Sequence, residues 1–407
     1  MNYRKLYGNQ KYLMKDLNID LNIIQAKYYT APTIVPNENG YSFYQWISYP
    51  SPNQPLIIGL DLNLNKIFEI TSNISLWSNL DEIICSENGN SDIVVFSNET
   101  GNEIKRYKIP YENDYPTLIF KNIYYSDLDF NGLLKKSFDG KTFWKIELPY
   151  VKIIASKEND LIVIQDQDKN SFHGRVGLFC ISDLDGSIKW NLHESFLFKK
   201  TQISDLLDRN IYLHDNGILL VQSRSQGILG VKATTGKILW KWKPDLKKIE
   251  PIRQKNLAHQ NDPKPNVKKM NLNTFSFTID YEGIVHILNH EFYTQLNSLT
   301  GGIINEFEMD PSLIQEKPYF KYGYSYYEKF IGSEVTVSKT HVIGSNCERI
   351  IFMNKTTGKL EKIISGEDPK HGVIRRILIT GENKMITIEE CSSKKLNPYY
   401  LKIWNAE

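Results

Sequence analysis

The heptapeptide Thr234-Thr235-Gly236-Lys237-Ile238-Leu239-Trp240 lies among apolar runs and has counterparts along most of the chain. Two further copies also place a Trp four residues after a Gly: Phe138-Asp139-Gly140-Lys141-Thr142-Phe143-Trp144 and Leu184-Asp185-Gly186-Ser187-Ile188-Lys189-Trp190. The looser copies are centred, in chain order, on Asn65, Gly101, Gly301 and Gly358. Seven copies separated by tens of residues predict a repeat architecture.

Each copy has the pattern of a β-hairpin. The Gly allows the positive φ of a tight turn at no steric cost, and the Asp, Asn or Thr before it can hydrogen-bond the turn backbone. Most copies follow two further strand-like runs. Before Gly236 these runs are residues 211–213 and 218–221, separated by Asp215-Asn216-Gly217. Four antiparallel strands per repeat are typical of one blade of a β-propeller.

The spacing of the turns predicts the number of blades. Successive turns are 36, 39, 46, 50, 65 and 57 residues apart, and about 40–50 residues is usual for a four-stranded blade. Three strand-like runs follow Gly358, and a spare run, residues 21–26, lies near the N-terminus. Pairing of that run with the C-terminal strand near Ile403 would remove two open sheet edges. The sequence therefore predicts an all-β fold, a single propeller domain over residues 1–407, with eight or alternatively seven blades closed by its terminal strands.

The strand–Thr/Asp-Gly-Lys-x-x-Trp unit resembles the repeat of the quinoprotein-like, or PQQ-repeat, β-propellers, and the likeness extends over residues 56–404. That family contains pyrroloquinoline-quinone dehydrogenases as well as propellers that are not enzymes. The resemblance implies that the Gly forms an outer turn and that the Trp packs between neighbouring blades. We therefore expect Trp144, Trp190 and Trp240 to stabilise the fold rather than to take part in chemistry.

The composition is typical of a soluble globular protein with little net charge. Hydrophobic residues make up 41% of the chain, and 49 Lys or Arg against 47 Asp or Glu leave a net charge of +2. No stretch approaches the roughly 18 apolar residues of a membrane span. No apolar segment follows the charged N-terminus, as it would in a secretory leader. We therefore expect a cytoplasmic protein that does not bind membranes.

No set of residues in the sequence indicates catalysis. The quinone enzymes of the family use adjacent cysteines, a calcium ion and an Asp base. The four cysteines of this chain are far apart, at Cys85, Cys180, Cys347 and Cys391. We therefore expect no cofactor and no enzymatic activity.

One stretch partly matches a calcium-binding loop. Asp127, Asp129 and Asn131 alternate before Gly132, as in the first half of such a loop. The twelfth position, where a bidentate Glu belongs, is Phe138. We therefore favour a polar turn between two strands over a metal site.

The longest break in the repeat, at about residues 243–273, is basic. Residues 244–273 hold seven Lys or Arg and three acidic residues, so their net charge is +4. One interpretation is a solvated, partly disordered loop, because Pro, Asn and Lys are abundant. The other is an electrostatic arm for an acidic partner or a phosphate backbone. The lysines proposed to contact a partner are Lys247, Lys248, Lys268 and Lys269.

A second break, at about residues 309–333, is rich in aromatic residues. Seven of the twelve residues from Tyr319 to Phe330 are aromatic, and tyrosine offers a large contact area with few rotors to immobilise. A partner-binding segment and an extra strand pair that covers a blade are both open. The candidate contact residues are Tyr319, Phe320, Tyr322, Tyr324, Tyr326 and Tyr327. Both breaks flank the repeat at residues 274–308, so we expect one composite surface.

These patterns favour a non-catalytic propeller that binds another protein. Within that class we favour a bacterial immunity or inhibitor protein that neutralises a cognate toxin, because private insertions suit a dedicated partner. One alternative is a propeller enzyme, or a binder of a small ligand or metal, that uses the central channel. Another is a nucleic-acid binder that uses the lysine-rich break.

Overall fold

The structure is a computed structural model of the 407-residue chain, and it consists largely of short β-strands. It describes residues 19–28, 33–37, 40–46, 55–61, 66–71, 74–78, 82–87, 92–108, 115–120, 122–126, 132–137, 141–148, 151–166, 175–192, 206–223, 227–258, 275–289, 291–309, 319–321, 324–326, 335–346, 349–365, 373–380, 384–390 and 399–406. These residues contain one α-helix, α1 (Leu246–Ala258). None of the helical residues described forms a segment long and apolar enough to cross a membrane.

The described strands form eight four-stranded sheets, and every pair whose register is defined is antiparallel. The first four sheets, in spatial order, are β2 (Thr33–Asn37), β3 (Gly40–Trp46), β4 (Pro55–Asp61), β5 (Lys66–Thr71); β6 (Ile74–Ser78), β7 (Glu82–Glu87), β8 (Asp92–Ser97), β9 (Glu103–Lys108); β10 (Tyr115–Phe120), β11 (Asn122–Ser126), β12 (Leu133–Lys136), β13 (Thr142–Ile146); and β14 (Val151–Lys157), β15 (Asp160–Asp166), β16 (Arg175–Ser182), β17 (Ile188–Asn191).

The next three sheets are β18 (Leu206–Leu213), β19 (Ile218–Ser223), β20 (Gly227–Lys232), β21 (Ile238–Trp242); β22 (Ser276–Ile279), β23 (Ile284–Leu288), β24 (Phe292–Asn297), β25 (Ile303–Glu308); and β28 (Val335–Val337), β29 (His341–Asn346), β30 (Arg349–Asn354), β31 (Leu360–Ser365). The eighth has the order β1 (Ile19–Tyr28), β34 (Tyr399–Ala406), β33 (Lys384–Glu390), β32 (Val373–Thr380). A separate two-stranded sheet is formed by β26 (Tyr319–Lys321) and β27 (Tyr324–Tyr326).

The chain divides into two compact units. Tyr28–Leu213 makes up most of the first unit, and Ile238–Glu407 makes up most of the second. In the first unit the leading strands of successive sheets pack side by side, β6 against β10 and β10 against β14. In the second unit β22 packs against β28, and β28 against β32. A single domain over residues 1–407, the number of blades in one ring and its closure stay predictions.

Burial falls from the inner strands to the outer strand of a sheet. Every residue of β19 is buried, whereas five of the six residues of β9 are exposed. The sequences match this difference, since Ile-Leu-Leu-Val leads β19 and charged residues dominate β9. A strand covered on both faces must be apolar almost throughout, whereas an outer strand can carry charge.

A Trp on the outer strand fastens one sheet to the next along the chain. Trp240 of β21 is 8% exposed, and its indole Nε1 donates to the carbonyl oxygen of Ser298 at 2.7 Å. Ser298 lies three residues before Gly301, and the indole packs against that glycine. A Cβ atom on Gly301 would lie 2.5 Å from Cδ2 of Trp240, and Gly301 has φ of +69°. Both constraints require glycine at this turn.

The other two repeat tryptophans have the same geometry. The corresponding sets of tryptophan, carbonyl and glycine are Trp190, Ala233 and Gly236, at 2.7 Å, and Trp144, Asp183 and Gly186, at 3.0 Å. In each set the carbonyl lies three residues before the glycine, and both tryptophans are buried. The prediction that these rings pack between neighbouring sheets is therefore confirmed.

Two further sheets use a Phe at the same kind of joint. A Cβ atom on Gly101 would lie 2.5 Å from the ring of Phe68, and one on Gly358 would lie 2.1 Å from the ring of Phe307. The aromatic ring against a turn glycine is thus shared with the tryptophan joints. A phenylalanine has no N–H to donate, so these joints lack the indole-to-carbonyl hydrogen bond.

We predict that Trp144→Ala destabilises the protein by about 3–5 kcal/mol, the usual cost of emptying a buried aromatic site. Phe143→Ala, one residue earlier on β13, is the matched control, because Phe143 is 48% exposed. Urea unfolding measures both effects through its midpoint. It is monitored by far-UV circular dichroism rather than by tryptophan fluorescence, because one variant lacks a tryptophan. Equal midpoints for the two variants would show that Trp144 does not serve as a joint.

Deletion of residues 399–407 tests the role of the C-terminal strand. It removes β34, which lies between β1 and β33, and so leaves β1 without its neighbour in the sheet. We expect a lower melting temperature and self-association, since exposed sheet edges recruit other strands. Light scattering and calorimetry measure these properties, and unchanged melting of a monomeric truncated protein would argue against closure by the termini.

Candidate interaction site

The basic break in the repeat begins with helix α1. Its N-terminus is capped by Asp245, whose Oδ1 accepts the backbone N–H of Lys247 at 2.9 Å and whose carbonyl accepts that of Ile249 at 3.0 Å. A carboxylate at this position satisfies free backbone donors and interacts favourably with the helix dipole. Pro251 lies inside the helix, and the first turn ahead of it is held by the cap.

Two side chains attach α1 to the protein. Ile249 is 1% exposed, and Lys248 Nζ forms an ion pair with Glu306 Oε1 of β25 at 2.6 Å. Hydrogen bonding to Glu306 raises the pKa of Lys248. The helix therefore lies next to the outer strand of sheet β22–β25. Over Leu246–Ala258 the interpretation as a partly disordered loop is wrong, because capping and burial of Ile249 stabilise a helix that composition did not predict.

Lys247 and Lys248 have different surroundings. Lys247 is exposed on the first turn of α1, whereas Lys248 is exposed but paired with Glu306. Lys247 is thus the better placed of the two to meet a partner. Lys268 and Lys269 lie outside the described residues.

The aromatic break contains a short β-hairpin. Strands β26 and β27 pair antiparallel, with Tyr319 opposite Tyr326 and Lys321 opposite Tyr324. Alternate and directly paired residues share one face of a sheet, so the register puts these four residues on one face. Phe320 pairs with Ser325 on the other face. A strand pair is therefore present, while its contact with a partner stays a prediction.

Several predicted site residues lie outside the described residues. They are Tyr322 and Tyr327 of the aromatic break and Asp127, Asp129 and Asn131 of the calcium-loop match. Within the described part of the chain, no group of three or more His, Cys, Asp or Glu residues is placed to hold a metal ion.

The sheet between the two breaks, β22–β25, contains a buried polar network that the sequence analysis missed. Asp280, at the β22–β23 turn, is 4% exposed, and its Oδ2 lies 2.9 Å from Nε2 of His286. His286 is fully buried, and its Nδ1 lies 2.8 Å from the hydroxyl of Tyr293. Since a carboxylate only accepts, Nε2–H donates to Asp280. Burial disfavours a charged imidazole and lowers the pKa of His286, so Nδ1 carries no proton and accepts from Tyr293. This is a neutral imidazole with both nitrogens satisfied.

Burial and hydrogen bonding shift the pKa values of these groups. Burial raises the pKa of the Asp280 carboxyl, but the His286 hydrogen bond and the charge of Lys355 outweigh it and hold that pKa below its usual range. Burial lowers the pKa of His286, against the opposing effect of Asp280. Burial also raises the pKa of Tyr293. Asp280 is therefore ionised, and His286 and Tyr293 are neutral, at neutral pH.

Lys355 connects this network to the next sheet. It lies at the β30–β31 turn, and its Nζ forms an ion pair with Asp280 Oδ2 at 2.9 Å. The backbone carbonyl oxygen of Lys355 accepts a hydrogen bond from Nε2 of Gln295 at 2.7 Å. Gln295 also donates to the hydroxyl of Tyr293 at 2.6 Å and accepts from Asn305 at 2.8 Å. The side chains of this network, from Asp280 through His286, Tyr293 and Gln295 to Asn305, thus all have hydrogen-bond partners.

Gln295 and Asn305 replace the tryptophan joint in this sheet. Asn305 lies four residues after Gly301, where the repeat would have Trp, and it pairs with Gln295 across β24 and β25. Gln295 takes over the role of the indole N–H. It donates to the carbonyl of Lys355, which lies three residues before Gly358, as the acceptor carbonyls of the tryptophan joints lie three residues before their glycines. This joint therefore combines the ring of Phe307 against Gly358 with a hydrogen bond from Gln295 in place of one from an indole.

On its other side, sheet β22–β25 is joined to the turn between β18 and β19 by a second set of hydrogen bonds. His214 Nε2 lies 3.1 Å from the carbonyl oxygen of Asp280, to which it donates. Asn216 Nδ2 donates to Ser298 Oγ at 2.9 Å, beside the carbonyl that accepts from Trp240. The sheet between the two breaks is thus held on both sides by hydrogen-bonded side chains.

Gln295→Met should destabilise the protein by about 2 kcal/mol, because it keeps the side-chain length but leaves the Lys355 carbonyl and the Asn305 amide without partners. Glu308→Gln, at an exposed position of β25, is the control and should change stability by less than about 0.5 kcal/mol. Chemical denaturation measures both. A Gln295→Met protein as stable as the control would show that the polar joint contributes nothing.

Comparison with known proteins supports the fold. The sequence matches no protein-family model, and no curated protein matches it. Among solved structures it is similar to BamB from Moraxella catarrhalis, with a TM-score of 0.52, 9% identity and alignment over 96% of this chain and 100% of that one. It is also similar to Sqt1 from Saccharomyces cerevisiae, with a TM-score of 0.55, 9% identity and coverage of 96% and 100%.

A third similar structure is the computationally designed protein Ika8, with a TM-score of 0.54, 10% identity and coverage of 93% of this chain and 97% of that one. BamB is a PQQ-like β-propeller, and Sqt1 is a β-propeller as well. The chain therefore has a β-propeller fold, as its repeat predicted. Identities of about one residue in ten show the fold alone.

Proposed function

We propose that this propeller is a non-catalytic, cytoplasmic scaffold that binds another protein beside sheet β22–β25. The observation that carries this proposal is the surface around the Lys248–Glu306 ion pair. Three exposed apolar residues lie close to it in the chain: Leu246 at 46%, Ile303 at 54% and Ile304 at 46%. Lys247 is exposed beside them.

This mixture of side chains favours a protein partner over a nucleic acid. Exposed aliphatic side chains gain free energy when a partner removes them from water, and they have no counterpart on a phosphate backbone. A lysine at the edge of such a patch supplies steering and orientation rather than most of the affinity. Hairpin β26–β27, which follows β25 in the sequence, would extend this binding surface with its tyrosines.

The buried groups of the same sheet support a role without catalysis. Asp280, His286 and Tyr293 have the residue types of an acid–base relay, but their exposed fractions are 4%, 0% and 0%. A catalytic group must come within hydrogen-bonding distance of its substrate, and these three are engaged with one another. Their arrangement suits a rigid support for a binding surface.

Within this class, we propose that the partner is a toxin that the protein neutralises as an immunity or inhibitor protein. The support is that two insertions, both outside the repeat pattern, flank one sheet held by hydrogen-bonded side chains. Such an arrangement suits a single dedicated partner. Occlusion of a toxin by a large, preformed surface requires no chemistry from the inhibitor, and a rigid surface loses little entropy on binding. A small-ligand or metal binder that uses the central channel is the alternative.

Binding to the partner isolated with the wild-type protein tests the proposed surface. Tyr322→Ala, Tyr324→Ala and Tyr326→Ala combined should weaken binding by at least about tenfold, as loss of aromatic anchors does, with an unchanged melting temperature. Lys247→Glu, Lys268→Glu and Lys269→Glu combined should mainly lower the association rate and its dependence on salt. Surface plasmon resonance at two salt concentrations measures both.

Lys189→Glu is the control for charge reversal, because Lys189 is paired with Asp160 on a different sheet. It should leave association unchanged. Normal binding by both surface variants would place the interface elsewhere, and unfolding of the tyrosine variant would identify those rings as core. A toxin is supported if growth inhibition by the isolated partner is relieved by the wild-type protein and not by the surface variants.

A further inference from the structure

The polar network in sheet β22–β25 lies where the chain leaves this sheet for the next one. Tyr293 belongs to one hydrophobic cluster with Met309, which follows β25, and Val335, which begins β28. The backbone N–H of Met309 also donates to the carbonyl of Glu291 at 2.8 Å. The hydroxyl of Tyr293 reaches the other way, to His286. One side chain thus links the network to both ends of the connection between the sheets.

The hydrogen bonds of this network are all satisfied only when the imidazole of His286 is neutral. Nε2–H donates to Asp280, while Nδ1 needs a donor and receives it from the hydroxyl of Tyr293. A second proton on the imidazole would turn Nδ1 into a donor facing that hydroxyl. The Tyr293 oxygen already accepts from Gln295 at 2.6 Å, so its own proton would lose its acceptor. Protonation therefore leaves the buried hydroxyl proton of Tyr293 without an acceptor, on the side chain to which Gln295 is also bonded.

The charged groups around His286 do not compensate for an added proton. Asp280 faces it from the β22–β23 turn, but its Oδ2 also accepts from Lys355, which approaches from the β30–β31 turn. Glu282 follows in the same turn as Asp280 and is exposed, and His214 contacts Asp280 through the backbone carbonyl. The ion pair with Lys355 already balances Asp280, so an imidazolium would add an uncompensated charge to a fully buried site.

We propose that this network is an acid-sensitive latch, in which protonation of His286 releases sheet β28–β31 from sheet β22–β25. In the open state Lys355 leaves Asp280, Gln295 loses the Lys355 carbonyl, and Met309 and Val335 lose their packing against Tyr293. The latch needs no partner protein, so it stands whether or not the proposed function does. It would make the connection between these two sheets the place where the propeller opens first.

The direction and size of the effect follow from proton linkage. A histidine whose pKa is lowered in the closed state stabilises that state at pH values above its ordinary value, about 6.5. The stabilisation is lost as the pH falls through that value, because the open state takes up a proton first. Each pH unit below it favours opening by up to tenfold. Asp280 stays ionised throughout this range and contributes no pH dependence there.

Hydrogen–deuterium exchange with mass spectrometry tests the latch on the full chain. Rates at pH 7.5 and 5.5, corrected for intrinsic exchange, should show opening of β23, β24, β29 and β30 increased about tenfold at the lower pH. Strands β15 and β16, which lie in another sheet, should change little. His286→Gln should abolish the increase, because Gln can donate to Asp280 and accept from Tyr293 without titrating. His341→Gln is the matched control, since His341 pairs with Glu361 on the neighbouring sheet, and it should keep the increase.

The latch is wrong if the wild-type rates show no selective increase, or if His286→Gln keeps it. Should His286→Gln fail to fold, Tyr293→Phe decides the question, because it removes the donor that holds Nδ1 neutral while preserving the ring. Opening should then be more frequent at every pH, and its acid dependence should change because Nδ1 can take up a proton without displacing a donor. A Tyr293→Phe protein with wild-type exchange at both pH values would overturn the proposal.

Discussion

At five joints in the described part of the chain, one sheet is held to the next by an aromatic ring that lies against a glycine in the following turn. In three joints the indole N–H adds a hydrogen bond to the carbonyl three residues before that glycine. The motifs at Gly186 and Gly236 each take part in two joints, since their glycines receive the rings of Trp144 and Trp190 and their own tryptophans reach the following sheet. This double use explains why Gly and Trp recur at a spacing of four residues.

The joints and the class of fold could be predicted from the sequence because they rest on local signals. A turn glycine, a neighbouring Thr or Asp and a Trp at fixed spacing are visible in a single pass along the chain. The Phe68 and Phe307 joints are less visible, since Phe307 lies six residues after Gly301 rather than four. Residues two apart share a face of a strand, which is why the ring can move along β25 and still meet Gly358.

The site could be predicted only in part. The two breaks in the period were visible, but α1 was not, because its stability comes from the Asp245 cap and from burial of Ile249 rather than from an apolar stripe. The network of Asp280, His286 and Lys355 was missed as well, since 75 residues separate Asp280 from Lys355. Only the cross-strand register and the packing of two sheets bring such residues together. No pattern in a single sequence marks them.

The propeller therefore contains joints of two physical kinds. An aromatic joint depends mainly on buried area, with an indole hydrogen bond where the ring is Trp and, at Trp144, an ion pair between Lys135 and Asp183 at 3.0 Å. Its ring packing tolerates small displacements because dispersion contacts vary gradually with distance. The joint at Gln295 and Lys355 adds several directional bonds and a buried ion pair to the packing of Phe307 on Gly358. Such a pair is costly to break on one side, because it leaves a buried charge without compensation. The sheet next to both insertions thus has a joint that depends on exact hydrogen-bond geometry.

The direction of the aromatic joints also affects how the protein is made. Because each ring reaches forward in the chain, a newly synthesised sheet cannot be locked until the turn of its successor has left the ribosome. Trp190 waits for Ala233, which is 43 residues later, or about 2–9 seconds at ordinary rates of translation. During that interval the youngest sheet exposes an unsealed aromatic face. A nascent chain of this protein should therefore present one such face at a time, moving toward the C-terminus, as a binding site for chaperones.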